Sequence, residues 1–214
     1  MTLLLVDDHP LFRSGLTYLL RTLDADLQVD EAGNCTQATA LAGSRDYDLI
    51  LLDLKMPGLD GLDALSAIRE AFPSSPAVVL SGESDPRIVR QAIETGAMGF
   101  IPKSSTPDVM VQALRLILAH GVYLPPHVLA AAVETAPADA ERICGDDRIE
   151  GLSGRQMEVL RKVVQGKPNK VIARELAISE GTVKAHLSAV LRALKARNRT
   201  EIVYAAAKLG LRLV

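Results

Sequence analysis

Apolar and polar positions alternate in blocks along the first 120 residues. Strand-like runs fall at Leu3–Val6, Leu27–Glu31, Asp48–Asp53, Ala77–Ser81 and Gly99–Pro102. After each run, apolar residues recur at three- and four-residue spacing, over roughly 11–23, 35–43, 61–71, 86–95 and 106–119. Short strands alternating with amphipathic helices predict an α/β domain, a five-stranded, doubly wound parallel sheet covered on both faces. The pattern changes at residue 121. "GVYLPPHVL" and "ETAPADAERICGDDRIEG" are rich in Pro, small and charged residues, which reads as a linker over 121–150 with room for a short helix from about His127 to Val133. From Leu152 the spacing is helical throughout. Ser153 caps a helix reaching about Gln165, with Gly166 as its stop. A second helix starts at Pro168 and Asn169 and ends near Ala177. Ser179 caps a third, to about Ala196, and a fourth runs from Thr200 to about Leu209, with Gly210 as its stop. This predicts an all-α, four-helix domain over 151–214.

Charge supports the division. The formal net charge is −2, but it is unevenly spread. Residues 1–125 carry 9 Lys/Arg against 16 Asp/Glu, residues 126–150 carry 2 against 6, and residues 151–214 carry 13 against 4, with no Asp. An acidic front and a basic tail predict two domains with different partners, and the tail suits a polyanion. No apolar run reaches the roughly 18 residues of a membrane helix, and no basic region precedes the first apolar run, as a secretory signal would require. Cys35 and Cys144 fit no metal-ligand spacing and read as two buried thiols in a reducing compartment. The expectation is a cytoplasmic protein with no membrane partner.

In doubly wound sheets the reactive site lies outside the carboxyl ends of the strands. Those ends carry Asp7 and Asp8 after the first strand, Asp53 on the third, Ser81 on the fourth and Lys103 after the fifth. Adjacent carboxylates at the end of a buried strand repel each other. A hard divalent cation such as Mg²⁺ makes them tolerable, with Asp8 and Asp53 as direct ligands and Asp7 through water. A carboxylate between such a cation and a lysine can act as a phosphoryl-accepting nucleophile, which assigns that role to Asp53. Lys103 then offsets charge on the transferring oxygens, and Ser81 donates a hydrogen bond to one of them. Lys55 and Glu83, two residues beyond Asp53 and Ser81, are expected to border the same pocket and to pair there. Glu31 sits on another strand and reads as a surface residue.

The stretches "LLLVDDHP", "DLILLDLKMPGLDG", "VVLSGE" and "GAMGFIPK" together resemble the receiver domain of bacterial two-component response regulators, over roughly residues 1–120. The resemblance implies a flavodoxin-like fold and phosphotransfer from a sensor histidine kinase onto Asp53. It implies that Asp7, Asp8, Asp53 and the backbone carbonyl of Lys55 hold Mg²⁺, and that Ser81 and Lys103 are the switch hydroxyl and the lysine of that family. It also implies that Phe100 is the switch aromatic, which turns inward when Ser81 moves onto the phosphoryl group.

In "SEGTVKAHLSAVLRALK", Val183, Leu187, Val190 and Leu194 form one apolar stripe. The opposite side carries Gly181, Lys184, Ala185, Ser188, Arg192 and Lys195. A helix with a small, basic outer face can enter a DNA major groove, and the short turn from "NKVIARELAI" makes a helix-turn-helix. "LSGRQMEVLRKVVQGKPNKVIARELAISEGTVKAHLSAVLRAL" is similar to the output domain of the NarL/FixJ (LuxR-type) subfamily. That resemblance implies double-stranded DNA as a partner. It makes Lys184 a base or phosphate contact, and Asn169, Lys170 and Thr182 phosphate contacts. Ser188 occupies a position where a longer, often basic, side chain is frequent, so its reach to bases is short. His186 reads as packing or phosphate contact, and Glu158 as structural. The last helix, "TEIVYAAAKLGL", is expected to expose small and apolar residues and, by the resemblance, to support a homodimer when the protein is phosphorylated. The reading is a phosphorylation-controlled transcriptional regulator and not an enzyme. The residues alone leave two others open: a Mg²⁺-dependent phosphatase with an aspartate nucleophile, and a phospho-dependent protein-binding adaptor.

Overall fold

The structure is a computed structural model that describes residues 1–24, 26–43, 47–119, 121–134, 149, 151–209 and 211. The chain divides into two compact units, Met1–Leu118 and Ala119–Val214.

The first unit is built on strands β1 (Thr2–Val6), β2 (Gln28–Ala32), β3 (Leu49–Asp53), β4 (Ala77–Ser81) and β5 (Gly99–Pro102). All neighbours are parallel, in the order β2-β1-β3-β4-β5. Helices α1 (Pro10–Leu20), α2 (Cys35–Ala40), α3 (Gly61–Ala71), α4 (Pro86–Thr95) and α5 (Pro107–Leu118) follow the strands in turn. Leu3–Val6 of β1, Leu49–Leu52 of β3 and Ala77–Leu80 of β4 are completely buried. That is why these strands read as continuous apolar runs: helices cover both faces. The edge strand β2 keeps Asp30 and Glu31 half-buried or exposed. Order reverses between β1 and β3, and this crevice is where such sheets place ligands. The register sets its floor. Val6, Leu52, Val79 and Phe100 form one row across the sheet, so Asp7 and Asp53 fall in the next row and emerge together.

Helix starts follow their caps. Asn34 accepts from the Gln37 amide, Asp60 from Leu62 and Asp85 from Arg87. α4 stops at Gly96, whose φ of 111° is the left-handed conformation that a β-carbon disfavours. Gly61 matters for a different reason. A β-carbon there would lie 2.4 Å from the Leu54 carbonyl oxygen and 2.9 Å from its Cα, so α3 rests directly on the backbone that leaves Asp53. Gly61→Ala is expected to lower stability by about 1–3 kcal/mol through overpacking. Gly58→Ala, where nothing lies within 4 Å but φ is +109°, is expected to lose about 1 kcal/mol through conformation alone. Paired urea titrations check the difference.

The second unit contains α6 (Pro126–Glu134), α7 (Gly154–Val164), α8 (Asn169–Glu175), α9 (Glu180–Ala193) and α10 (Arg199–Lys208). Ser153 and Gln156 form a full capping box on α7, and Gly166, with φ of 74°, ends it. Lys162 of α7 and Lys167 hold the Glu175 carboxyl of α8 at about 2. A depressed carboxylate favours the folded state above its ordinary range, and that contribution fades as pH falls towards 2.

Expectation and structure part at α10. The sequence reading had its small and apolar residues exposed. Instead Ile202, Val203, Tyr204, Ala206 and Ala207 are buried, and no residue of Arg199–Lys208 is exposed. Only Glu201, Ala205 and Lys208, along one side, keep partial exposure, so the rest of the helix needs neighbours. α7 and α9 supply some of that cover, and α6, drawn from the segment read as linker, supplies more. Gly210 and Cys144 lie outside the described residues. Cys35 is a buried free thiol, raised above the ordinary cysteine value by that burial.

Candidate functional site

The carboxyl ends of β1, β3, β4 and β5 bring five predicted residues to one place. The Asp53 side chain is 1% exposed and that of Asp7 is fully buried. Lys103 Nζ lies 2.6 Å from Asp53 Oδ2 and 2.7 Å from Asp7 Oδ2. The same ammonium stands 4.6 Å from the centroid of the Phe12 ring on α1, a cation–π contact that fixes its approach. Burial by itself would lower the Lys103 pKa. Hydrogen bonds to Asp53 and then Asp7 outweigh it, so the ammonium titrates above the ordinary lysine value. The stabilisation this brings is complete below the usual lysine range and is lost as pH rises through the raised value.

Asp53 Oδ1 accepts the amide N–H of Lys55, 3.0 Å away. Both oxygens of the carboxylate are therefore held, in a turn that also brings the Lys55 backbone to the rim. Ser81 is 2% exposed, and its Oγ accepts the Glu83 amide at 3.1 Å. Phe100 is completely buried. Lys55 Nζ meets Glu83 Oε1 at 2.6 Å, with both side chains more than half exposed.

Three acids crowd one lysine. Asp7 Oδ2 and Asp8 Oδ1 are shielded from solvent, with Lys103 Nζ 2.7 Å from the first and His9 Nδ1 2.8 Å from the second. Three carboxylates against one ammonium leave excess negative charge at a shielded site, which suits a hard cation, so the donor set fits Mg²⁺. Asp7, Asp8, Asp53 and His9 offer ligand atoms all within 4.8 Å of one another. His9 is a member that sequence reasoning missed, although it directly follows the acid pair.

The second candidate surface is α9. Val183 and Val190 are buried, whereas Gly181, Thr182, Lys184, Ala185, Ser188 and Arg192 are exposed, so the small, basic face is free. Thr182 Oγ1 is 2.8 Å from the Ser179 hydroxyl, tied into the helix cap. The Ser188 hydroxyl donates to the Lys184 carbonyl at 3.0 Å, which satisfies it within the helix. Lys170 is exposed at the start of α8. Asn169 is half-buried, and its Oδ1 accepts from Arg199 Nη1 at 2.8 Å. Arg199 is a residue the sequence did not single out. It also donates to the Lys167 carbonyl, and burial lowers its guanidinium to about 10, still charged at neutral pH. The turn from α8 to α9 passes through Ala177 at φ of 52°, next to the Leu176 carbonyl that Arg155 of α7 binds.

Residues 3–115 match the response regulator receiver domain, and residues 150–206 match the bacterial regulatory proteins of the luxR family. This chain belongs to the LuxR-type response regulators. A glycerol metabolism activator of Pseudomonas putida is 40% identical over 207 residues, 95% of this chain and 94% of that protein. The nitrate/nitrite response regulator protein NarL of Escherichia coli (strain K12) is 38% identical over 203 residues, 94% and 92% of the two chains. A solved LuxR family DNA-binding response regulator from Silicibacter pomeroyi is 36% identical with a TM-score of 0.53, covering 59% of this chain and 98% of its own. As a LuxR-type response regulator, this protein is a transcriptional regulator whose DNA binding is controlled through a phosphorylated receiver. It is not an enzyme, and the phosphatase and adaptor readings fall with that assignment. Among the described residues, no helix is long and apolar enough to cross a membrane.

Proposed function

We propose that Asp53 is the phosphoryl acceptor of this regulator and that its modification controls DNA binding through α9. The observation that carries this is the meeting of a buried Asp53 carboxylate with Lys103, 2.6 Å away, at the β1/β3 switch point. Asp53 attacks phosphorus, a new P–O bond forms, and the bond to the leaving imidazole of a sensor kinase's phosphohistidine breaks. Lys103 offsets charge on the phosphoryl oxygens, and the Ser81 hydroxyl donates to one of them. Asp8, Asp53 and the Lys55 carbonyl would hold Mg²⁺, with Asp7 through water, and that ion would supply further positive charge to the phosphoryl group. Phe100 follows Ser81 and transmits the change. The protein works in the cytoplasm and dimerises when phosphorylated.

At the output end, Lys184 contacts bases or phosphates, and Asn169, Lys170 and Thr182 set the register on the backbone. Ser188 adds little base readout, because its hydroxyl is engaged within α9. The test is anisotropy of a labelled operator duplex across a salt series, with and without acetyl phosphate. Phosphorylated protein is expected to bind more tightly. Lys170→Ala or Lys184→Ala is expected to weaken binding and to reduce the slope of log K against log salt by about one where the lost contact is a phosphate. Unchanged slopes in both variants would reject the assignment.

The exposed Lys55–Glu83 pair, two residues beyond Asp53 and Ser81, screens the aspartyl phosphate from water. Glu83→Ala is expected to shorten the phosphoryl lifetime several-fold. Stability should change little, because exposed pairs contribute roughly 0–1 kcal/mol. Decay of labelled protein and urea unfolding separate the two effects.

A further inference from the structure

The acid cluster contains one group whose chemistry Mg²⁺ does not call for. His9 Nδ1 lies 2.8 Å from Asp8 Oδ1 and 3.2 Å from Asp7 Oδ1. The imidazole side chain is more exposed than buried, yet its ring nitrogen faces the acid pair, where Asp8 Oδ1 is shielded from solvent. It is not there to cap α1, because His9 makes no side-chain cap hydrogen bond. Either a ring N–H donating to the carboxylates or a bound cation satisfies this meeting of two carboxylate oxygens and an imidazole nitrogen.

The spacing also suits a metal. Adjacent ligands of an octahedral ion with bonds near 2.1 Å stand about 3 Å apart. The separations from His9 Nδ1 to the two oxygens bracket that value. Carboxylates serve Mg²⁺ and transition ions alike, whereas imidazole adds affinity for Ni²⁺, Cu²⁺ and Zn²⁺ and very little for Mg²⁺.

The geometry points to His9 as a nitrogen ligand at the acid cluster, which makes this site accept imidazole-seeking divalent transition ions in competition with Mg²⁺. The inference rests on the proposal that these acids hold Mg²⁺, and adds a second class of ion to the same place. A transition ion bound through His9, Asp7 and Asp8 would occupy the position from which Mg²⁺ serves the acceptor. Phosphoryl acceptance would then respond to the ratio of the two metals.

Isothermal titration calorimetry of the full chain tests this, with NiCl₂ and MgCl₂ as the probes and wild-type, His9→Ala and Asp8→Asn proteins. Wild-type protein is expected to bind Ni²⁺ at a site whose apparent affinity falls as Mg²⁺ is added. Asp8→Asn should weaken both metals. His9→Ala should weaken Ni²⁺ about tenfold or more and move Mg²⁺ less than about twofold. The exposed imidazole can be removed without leaving a cavity, and circular dichroism checks the fold. Equal Ni²⁺ affinity in wild-type and His9→Ala, or Ni²⁺ binding indifferent to Mg²⁺, would overturn the inference while leaving the Mg²⁺ site standing. Failure of the wild-type protein to bind Mg²⁺ would instead overturn the reading beneath it.

Discussion

Asp53→Asn is expected to abolish acid-stable, hydroxylamine-labile phosphoryl incorporation from acetyl phosphate, a loss of at least about 100-fold in initial rate. An amide oxygen is a far weaker nucleophile than a carboxylate, and it gives the neighbouring cations no charge to hold. The variant keeps the shape of the side chain, so the Lys55 turn and the sheet register should survive. Intact-protein mass spectrometry, with far-ultraviolet circular dichroism as the control, reads both. Labelling of the variant at the wild-type rate would place the acceptor elsewhere.

The second large effect is expected at Lys103. Lys103→Met removes the cation that touches both Asp7 and Asp53, each essentially without solvent contact. Removing one partner from a buried ionic group leaves its charge uncompensated, which typically destabilises by about 3–5 kcal/mol. Because the lysine side chain keeps some contact with water, a value near 3 kcal/mol is expected for the metal-free variant. Saturating Mg²⁺ should recover part of the loss, since binding to the folded state alone stabilises by about 2.7 kcal/mol at one hundred times Kd. Urea titrations of both proteins with and without Mg²⁺ measure this. If the variant were as stable as wild type without metal, the three acids would not depend on the lysine.

Most of the sheet was legible because its signals are local. β4 and β5 begin and end where the apolar runs do, and the residue after each buried run is the one that reaches the rim. Helix ends were harder. α9 stops at Ala193, three residues before the expected end, in a turn where Lys195 adopts a φ of 53°. α8 likewise ends before Ala177, at 52°. Both positions use the left-handed backbone without the glycine that usually marks it, so nothing in the sequence gives them away. Gly96 and Gly166 do the same job visibly. The candidate site divides in the same manner. Asp7, Asp8, Asp53, Ser81 and Lys103 were found because strand ends point to one edge. His9 was overlooked beside stronger chemistry. Arg199 acts across 30 residues, on Asn169, a pairing that no spacing rule anticipates.

The cover that α6 lays on α10 bears on how this regulator is dissected. A fragment starting near residue 150 would retain α7 to α10 but strip one wall from a helix whose apolar residues Ile202, Val203, Ala206 and Ala207 are buried. Such a piece would carry raw apolar surface and tend to self-associate through it. Oligomerisation measured on the excised piece would then report the scissors as much as the signal, whereas a fragment beginning before Pro126 would keep α10 dressed.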